Sequence, residues 1–172
     1  TATIVNSAFN GCGGGYGGGV ANYGTMTLRD STLSGNFATY GGAIYNGGTL
    51  LISGCVISGN STPHWPGDGY GGAIYSSGNL ECYNSTISGN TANKVGGIRV
   101  TGNPTVRIAN CTIAGNSEYM GWFTGGIQSA GYVWLQNSIV ANNTAGGGKG
   151  DVYGSFQSSS SHNLIGAIDG ST

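Results

Sequence analysis

Five segments of this chain close on one motif: an apolar residue, with Gly or Asn two places on and Asn three places on. They read Leu33-Ser34-Gly35-Asn36, Ile57-Ser58-Gly59-Asn60, Ile87-Ser88-Gly89-Asn90, Ile113-Ala114-Gly115-Asn116 and Val140-Ala141-Asn142-Asn143. An earlier half-copy ends Phe9-Asn10-Gly11-Cys12, and two copies open on Gly41-Gly42-Ala43-Ile44-Tyr45 and Gly71-Gly72-Ala73-Ile74-Tyr75. The closing apolar residues are spaced by 24, 24, 30, 26 and 27 residues. A period in this range marks a solenoid, in which each repeat buries its apolar face only by stacking on its neighbours.

Written in register, the repeats form columns of like residues. One runs Val20, Ile44, Ile74, Ile98, Ile127; another Met26, Leu50, Leu80, Val106, Val133; a third Leu28, Ile52, Cys82, Ile108, Leu135. The second and third columns are two residues apart, which is strand periodicity with both members inward. Between them lies a variable, outward column: Thr27, Leu51, Glu81, Arg107, Trp134. No window carries helical spacing of apolar residues. The expected fold is therefore all-β: a right-handed single-stranded parallel β-helix of about six coils, stacked at roughly 4.8 Å into a rod about 30 Å long. Residues 1–143 make the coils and 144–172 an irregular last coil or cap of the same domain. Asn36, Asn60, Asn90, Asn116 and Asn143 occupy a turn, where Asn tolerates left-handed backbone and can bond along the stack.

Thirty-six glycines and 6% charged residues suit this architecture and contrast with the roughly 25% charged of ordinary globular domains. A net charge of -1 with dispersed cations leaves no nucleic-acid footprint. No apolar stretch approaches the 18 or so residues of a membrane span. The chain opens on strand-like Thr1 to Val5 without a signal peptide, so a mature form or an excised piece is expected.

Four cysteines invite two disulfides, but the register opposes them. Cys55 and Cys111 share an inward column (Ser7, Ser31, Cys55, Ser85, Cys111, Ser138) two coils apart, roughly 9.6 Å, whereas a bridge needs Cα atoms within about 7 Å. Cys82 lies in the neighbouring column and Cys12 at a ladder position of the asparagines. Four free thiols are expected, and no spacing suggests a metal.

The paired Gly-Gly-Ala-Ile and apolar-x-x-Asn motifs resemble the repeats of the polymorphic outer-membrane-protein type of bacterial surface β-helix, over roughly residues 1–143. Here the closing apolar residue is Leu, Ile or Val where that family often has Phe. Asn137-Ser138-Ile139-Val140-Ala141, Asp151-Val152-Tyr153-Gly154 and Asn163-Leu164-Ile165-Gly166 resemble the end of the choice-of-anchor Q proteins. The resemblance implies an extracellular or cell-surface β-helix and carries no catalytic residue or cofactor with it.

A polysaccharide lyase or hydrolase on this scaffold needs clustered carboxylates. The six acids, Asp30, Asp68, Glu81, Glu118, Asp151 and Asp169, fall in different columns, and Glu81 faces Arg107 as a surface ion pair. The glycine run at 13–18 precedes no helix, and 146–150 lacks the Ser or Thr that a phosphate loop places after Lys. The expectation is a non-catalytic extracellular module, structural or adhesive; a carbohydrate-active enzyme or glycan-binding module is the alternative.

One edge is distinctive. Two turns are long, holding His64, Trp65, Asp68 and Tyr70, then Glu118, Tyr119, Met120, Trp122 and Phe123. Ahead of the Gly pairs runs a column Tyr16, Tyr40, Tyr70, Lys94, Phe123. Two readings stand: the aromatics stack on one another and cover the turn backbone, or they grip sugar rings or a neighbouring molecule. Sequons stand at Asn60, Asn84, Asn110 and Asn142, with Asn84 and Asn110 sharing an outward column. The expected partners are surface glycans, or further copies stacked end to end into filaments.

Overall fold

The computed structural model describes residues 1–63, 69–147 and 150–166. The repeat winds the chain into stacked coils of four short strands. One coil runs Thr25–Arg29, Thr32–Ser34, Phe37–Tyr40 and Ile44–Asn46, and the next begins with Thr49–Ser53 laid parallel on Thr25–Arg29. Stacking gives a broad face from the first strand of each coil and a second face of seven strands from Ala8–Asn10 to Leu164–Ile165. It also gives a short third face, and a fourth face carrying Val20–Asn22, Ile44–Asn46, Ile74–Ser76 and Ile98–Val100. The strand Ile127–Gln136 runs unbroken round one corner, joining broad and fourth faces into one eleven-stranded sheet. The described residues contain no helix.

The expected register holds at each level. Met26, Leu50, Leu80, Val106 and Val133 pair in succession, as do Leu28, Ile52, Cys82, Ile108 and Leu135. On the second face Phe9, Leu33, Ile57, Ile87, Ile113 and Val140 form one column, to which Ile165 adds a seventh member. Leu33, Ile57, Ile87 and Ile113 are wholly buried. The stack continues past residue 143, where Val152 pairs with Ile127 and Phe156 with Val133.

Asparagines make the principal interior polar spine. Asn36, Asn60, Asn90 and Asn116 each donate a backbone N–H and a side-chain N–H to Oδ1 of the next Asn, at 2.8–3.0 Å. The second side-chain N–H of each goes to a carbonyl of the preceding coil: Phe9, Leu33, Ile57 or Ile87. A buried amide is tolerable only when so satisfied. Cys12 begins the ladder through its backbone N–H, which donates to Asn36 Oδ1. One expectation is corrected: the ladder asparagines are not left-handed. That conformation falls one place earlier, on Gly11, Gly35, Gly59, Gly89, Gly115 and Asn142. The reason is division of labour: glycine takes the strained backbone, and the Asn side chain is left free to point inward.

Two further polar columns line the interior. Ser31, Ser85 and Ser138 accept the N–H of Ser7, Cys55 and Cys111, and their hydroxyls donate to a carbonyl two residues back. At another corner Asn22 donates to Asn46 Oδ1 and Asn46 to Ser76 Oγ. All four cysteines are free thiols, three of them buried. The column register left Cys82 without a sulfur neighbour, yet its Sγ lies 3.7 Å from that of Cys111 on the adjacent coil.

Candidate functional site

The Gly-Gly corner sets up an aromatic surface. At Gly41 and Gly71 the backbone is left-handed (φ 67° each), and a Cβ on Gly42 would strike the Gly72 carbonyl oxygen of the next coil. The coils therefore meet backbone to backbone, and the tyrosines on either side of the bend are carried outward one coil apart. Tyr16, Tyr40 and Tyr70 stack with centroids 5.1 and 5.6 Å apart and planes within 11° and 7°. Tyr45 and Tyr75 form a parallel stack at 5.6 Å, extended by the tilted ring of Tyr23 at 5.4 Å. The two stacks meet edge to face: Tyr16 on Tyr45, Tyr40 on Tyr75 and Tyr70 on Tyr75, at 5.0, 5.3 and 6.2 Å. Such geometry is the favoured one for aromatic quadrupoles, worth about 0.5–1.5 kcal/mol per pair beyond burial.

The column read from the sequence thus exists, and its rings do stack on one another. The second column was not read, although its signal stood in the motif itself, as the residue after Ile in Gly-Gly-Ala-Ile-Tyr. Beyond Tyr70 the first column continues with Lys94, whose ammonium donates to the Tyr70 hydroxyl (2.8 Å) and lies 5.5 Å from the Phe123 ring. In the second column Arg99 pairs with Tyr75, and Gln128 with Arg99.

Of the long-turn residues, His64, Trp65 and Asp68 lie outside the described residues. Tyr70 is in the wall, half-buried. Tyr119 and Trp122 are 49% and 72% exposed and flank the exposed Met120, while Phe123 is half-buried against Lys94. Glu118 is buried, and its carboxylate accepts the N–H groups of Met120 and Gly121 at 2.8 Å each, so it shapes its own turn. A hollow of about 470 Å³ beside Ser61, Thr62, Thr91 and Tyr119 adjoins these turns.

The family described as the right-handed beta helix region matches residues 1–165. The chain belongs to that family. Comparisons with curated proteins and with solved structures found no match. Membership, with the parallel coils above, makes this a right-handed β-helix.

The broad face of the β-helix carries a second feature, a groove of about 390 Å³ beside Thr27, Leu51, Glu81 and Arg107. Arg107 pairs with Glu81 at 3.3 Å and lies 5.0 Å from the Trp134 ring. Tyr83 donates its hydroxyl to Glu81 at 3.3 Å, and burial followed by the Glu81 charge pushes the phenol's pKa up. Among the sequons, Asn60 is a wholly buried ladder member whose side-chain N–H groups bond Leu33 O and Asn90 Oδ1. Asn84, Asn110 and Asn142 are exposed and left-handed. The described residues hold no group of three metal-ligating side chains.

Proposed function

We propose that this β-helix is a non-catalytic, extracellular surface module that binds glycan along its tyrosine corner. The observation that carries the reading is the wall itself. Six of the ten tyrosines stand in one continuous double column on one side of the rod. Stacking by itself does not call for hydroxyls, since Phe would stack as well, yet the six rings in mutual contact along the double column are all Tyr. A phenol gives rigid contact area with a polar tip, the combination favoured at recognition surfaces. Because the rings cover one another's faces, the wall offers edges and hydroxyls, which suits hydrogen bonding to sugars.

The non-catalytic part of the reading is supported by where the described acids sit. Glu81 is paired with Arg107, Glu118 holds its own turn, Asp151 closes the asparagine ladder, and Asp30 sits exposed at a left-handed corner position. The deciding experiment is a glycan array probed with wild type and with the double variant Tyr45→Ser/Tyr75→Ser. Wild type is expected to bind at least one glycan class, and the variant to lose it while keeping its β circular-dichroism signal. Undiminished binding by the folded variant would move the ligand to the broad-face groove, and with it the enzyme alternative would return.

A further inference from the structure

Of the seven described ring contacts in the tyrosine wall, three are parallel stacks and three meet edge to face. The seventh is neither: Tyr23 lies against Tyr45 with centroids 5.4 Å apart and planes at 44°. Tyr23 is also the most open ring of the wall, at 68% exposure. It follows the strand Val20–Asn22, and Tyr45 sits within Ile44–Asn46, which is laid on that strand one coil further on.

Gly47 leaves open the space that both rings border. A Cβ there would lie 3.3 Å from Tyr45 Cε1, 3.6 Å from the Tyr45 hydroxyl oxygen and 3.5 Å from Tyr23 Cδ1. The carbon beside the Tyr45 hydroxyl carbon thus faces the same small opening as an edge of Tyr23, and residue 47 puts no side chain between them. That ring position matters chemically, because a phenoxyl radical carries unpaired spin on its Cε carbons. A bond between two such carbons holds its rings twisted, neither coplanar nor perpendicular, as Tyr23 and Tyr45 already stand. Charge along the wall is uneven as well. At its far end the Lys94 ammonium lies 2.8 Å from the Tyr70 hydroxyl and 4.4 Å from the centre of that ring, and Arg99 is the strand partner of Tyr75. Taking an electron from Tyr70 or Tyr75 builds positive charge beside existing cations, which opposes it. Ring contacts of 5.0–6.2 Å run unbroken from there to Tyr23, where the ring is open and water can take the phenolic proton.

We propose that Tyr23 and Tyr45 are an oxidative modification site, at which a peroxide-driven one-electron oxidant couples them into a dityrosine that staples one coil to the next. The inference does not rest on the glycan reading. Each phenol gives an electron to the oxidant and a proton to water. The two radicals then join through a carbon–carbon bond between a Cε of Tyr23 and Cε1 of Tyr45, and the hydrogens displaced from those carbons return to the phenolic oxygens. Two phenols have lost two electrons and two protons in all, and one hydrogen peroxide is reduced to two waters. A staple between neighbouring coils restricts the unfolded chain and so stabilises the end of the stack where Tyr23 lies.

Dilute protein treated with hydrogen peroxide and a haem peroxidase tests this, read by dityrosine fluorescence, intact mass and peptide mapping. Wild type is expected to yield a monomer lighter by two hydrogen atoms, with Tyr23 and Tyr45 in one cross-linked peptide pair and a melting temperature raised by several degrees. Tyr23→Phe keeps a ring in place but gives no phenoxyl radical, and the intrachain product should fall at least tenfold. Tyr45→Phe should do the same, so that either variant carries the comparison if the other loses its β signal. Gly47→Ala sets a methyl group against both rings and should lower the yield by several-fold. Tyr132→Phe removes a comparably open phenol, 57% exposed and outside the wall, and should leave the yield unchanged. A cross-link that maps to other tyrosines, an intrachain product that survives Tyr23→Phe, or oxidation that gives only chain-to-chain dimers would each overturn the site.

Discussion

Asn143 gives both its backbone N–H (2.8 Å) and a side-chain N–H (2.7 Å) to a single carboxylate oxygen, Oδ1 of Asp151. A ladder that runs on neutral amides from Asn36 to Asn143 thus ends on a carboxylate, buried at 2% exposure. Asp151→Ala leaves two buried donors without an acceptor and is expected to cost about 2–5 kcal/mol. Asp151→Asn restores the neutral acceptor used at every other step and should cost about 1 kcal/mol. Urea unfolding of the two variants provides the comparison; equal losses would mean that Asp151 stabilises by its charge and not as the acceptor that closes the ladder.

Ile87 stacks between Ile57 and Ile113 and is wholly buried, while Thr86, one residue earlier, is partly open to solvent. Ile87→Ala is expected to cost about 2–5 kcal/mol. Thr86→Ala should cost about 0.5 kcal/mol or less. Chemical denaturation separates these; similar effects would contradict the alternation that places one inward and the other outward.

Cys12 is exposed and Cys55, Cys82 and Cys111 are buried. The contact with Cys111, and then burial, push the Cys82 thiol's pKa up, and burial does the same for Cys55. Both therefore stay protonated and unreactive under mildly alkaline conditions. A thiol reagent should titrate about one group in native protein and about four after denaturation without reductant. A lower denatured count would reveal a bridge, most readily between Cys82 and Cys111.

Tyr40 stacks on Tyr16 and Tyr70 and meets the edge of Tyr75. Replacing it with Leu keeps much of the apolar area but loses these ring contacts, and the expected cost is about 1–3 kcal/mol. Tyr132 is 57% exposed and outside the wall, so Tyr132→Leu should change stability by about 0.5 kcal/mol or less. Thermal melts of the pair show whether the wall stabilises the rod as well as facing a ligand.

Same-column relationships were legible because a solenoid places chemically alike residues directly above one another, so spacing alone aligns Ile57 with Ile87 and Tyr40 with Tyr70. Relationships that cross columns were not. Cys82 and Cys111 belong to different columns and touch on the diagonal between coils. Tyr45 and Tyr75 are set edge to face with the first tyrosine column by a corner whose angle no spacing reveals. Asp151 follows Asn143 by eight residues in a stretch that breaks the period, so only the fold shows it returning to the ladder.

The parallel coils, the inward and outward columns and the asparagine spine all follow from the repeat, since periodicity is a one-dimensional property and the stack is nearly one-dimensional too. Tertiary structure decided what happens at corners and ends. There the chain's path depends on backbone direction, as where glycine, or Asn142 in the last copy, takes the left-handed step before a ladder Asn. There too Lys94 and Arg99 come to share one rung at the end of the tyrosine wall.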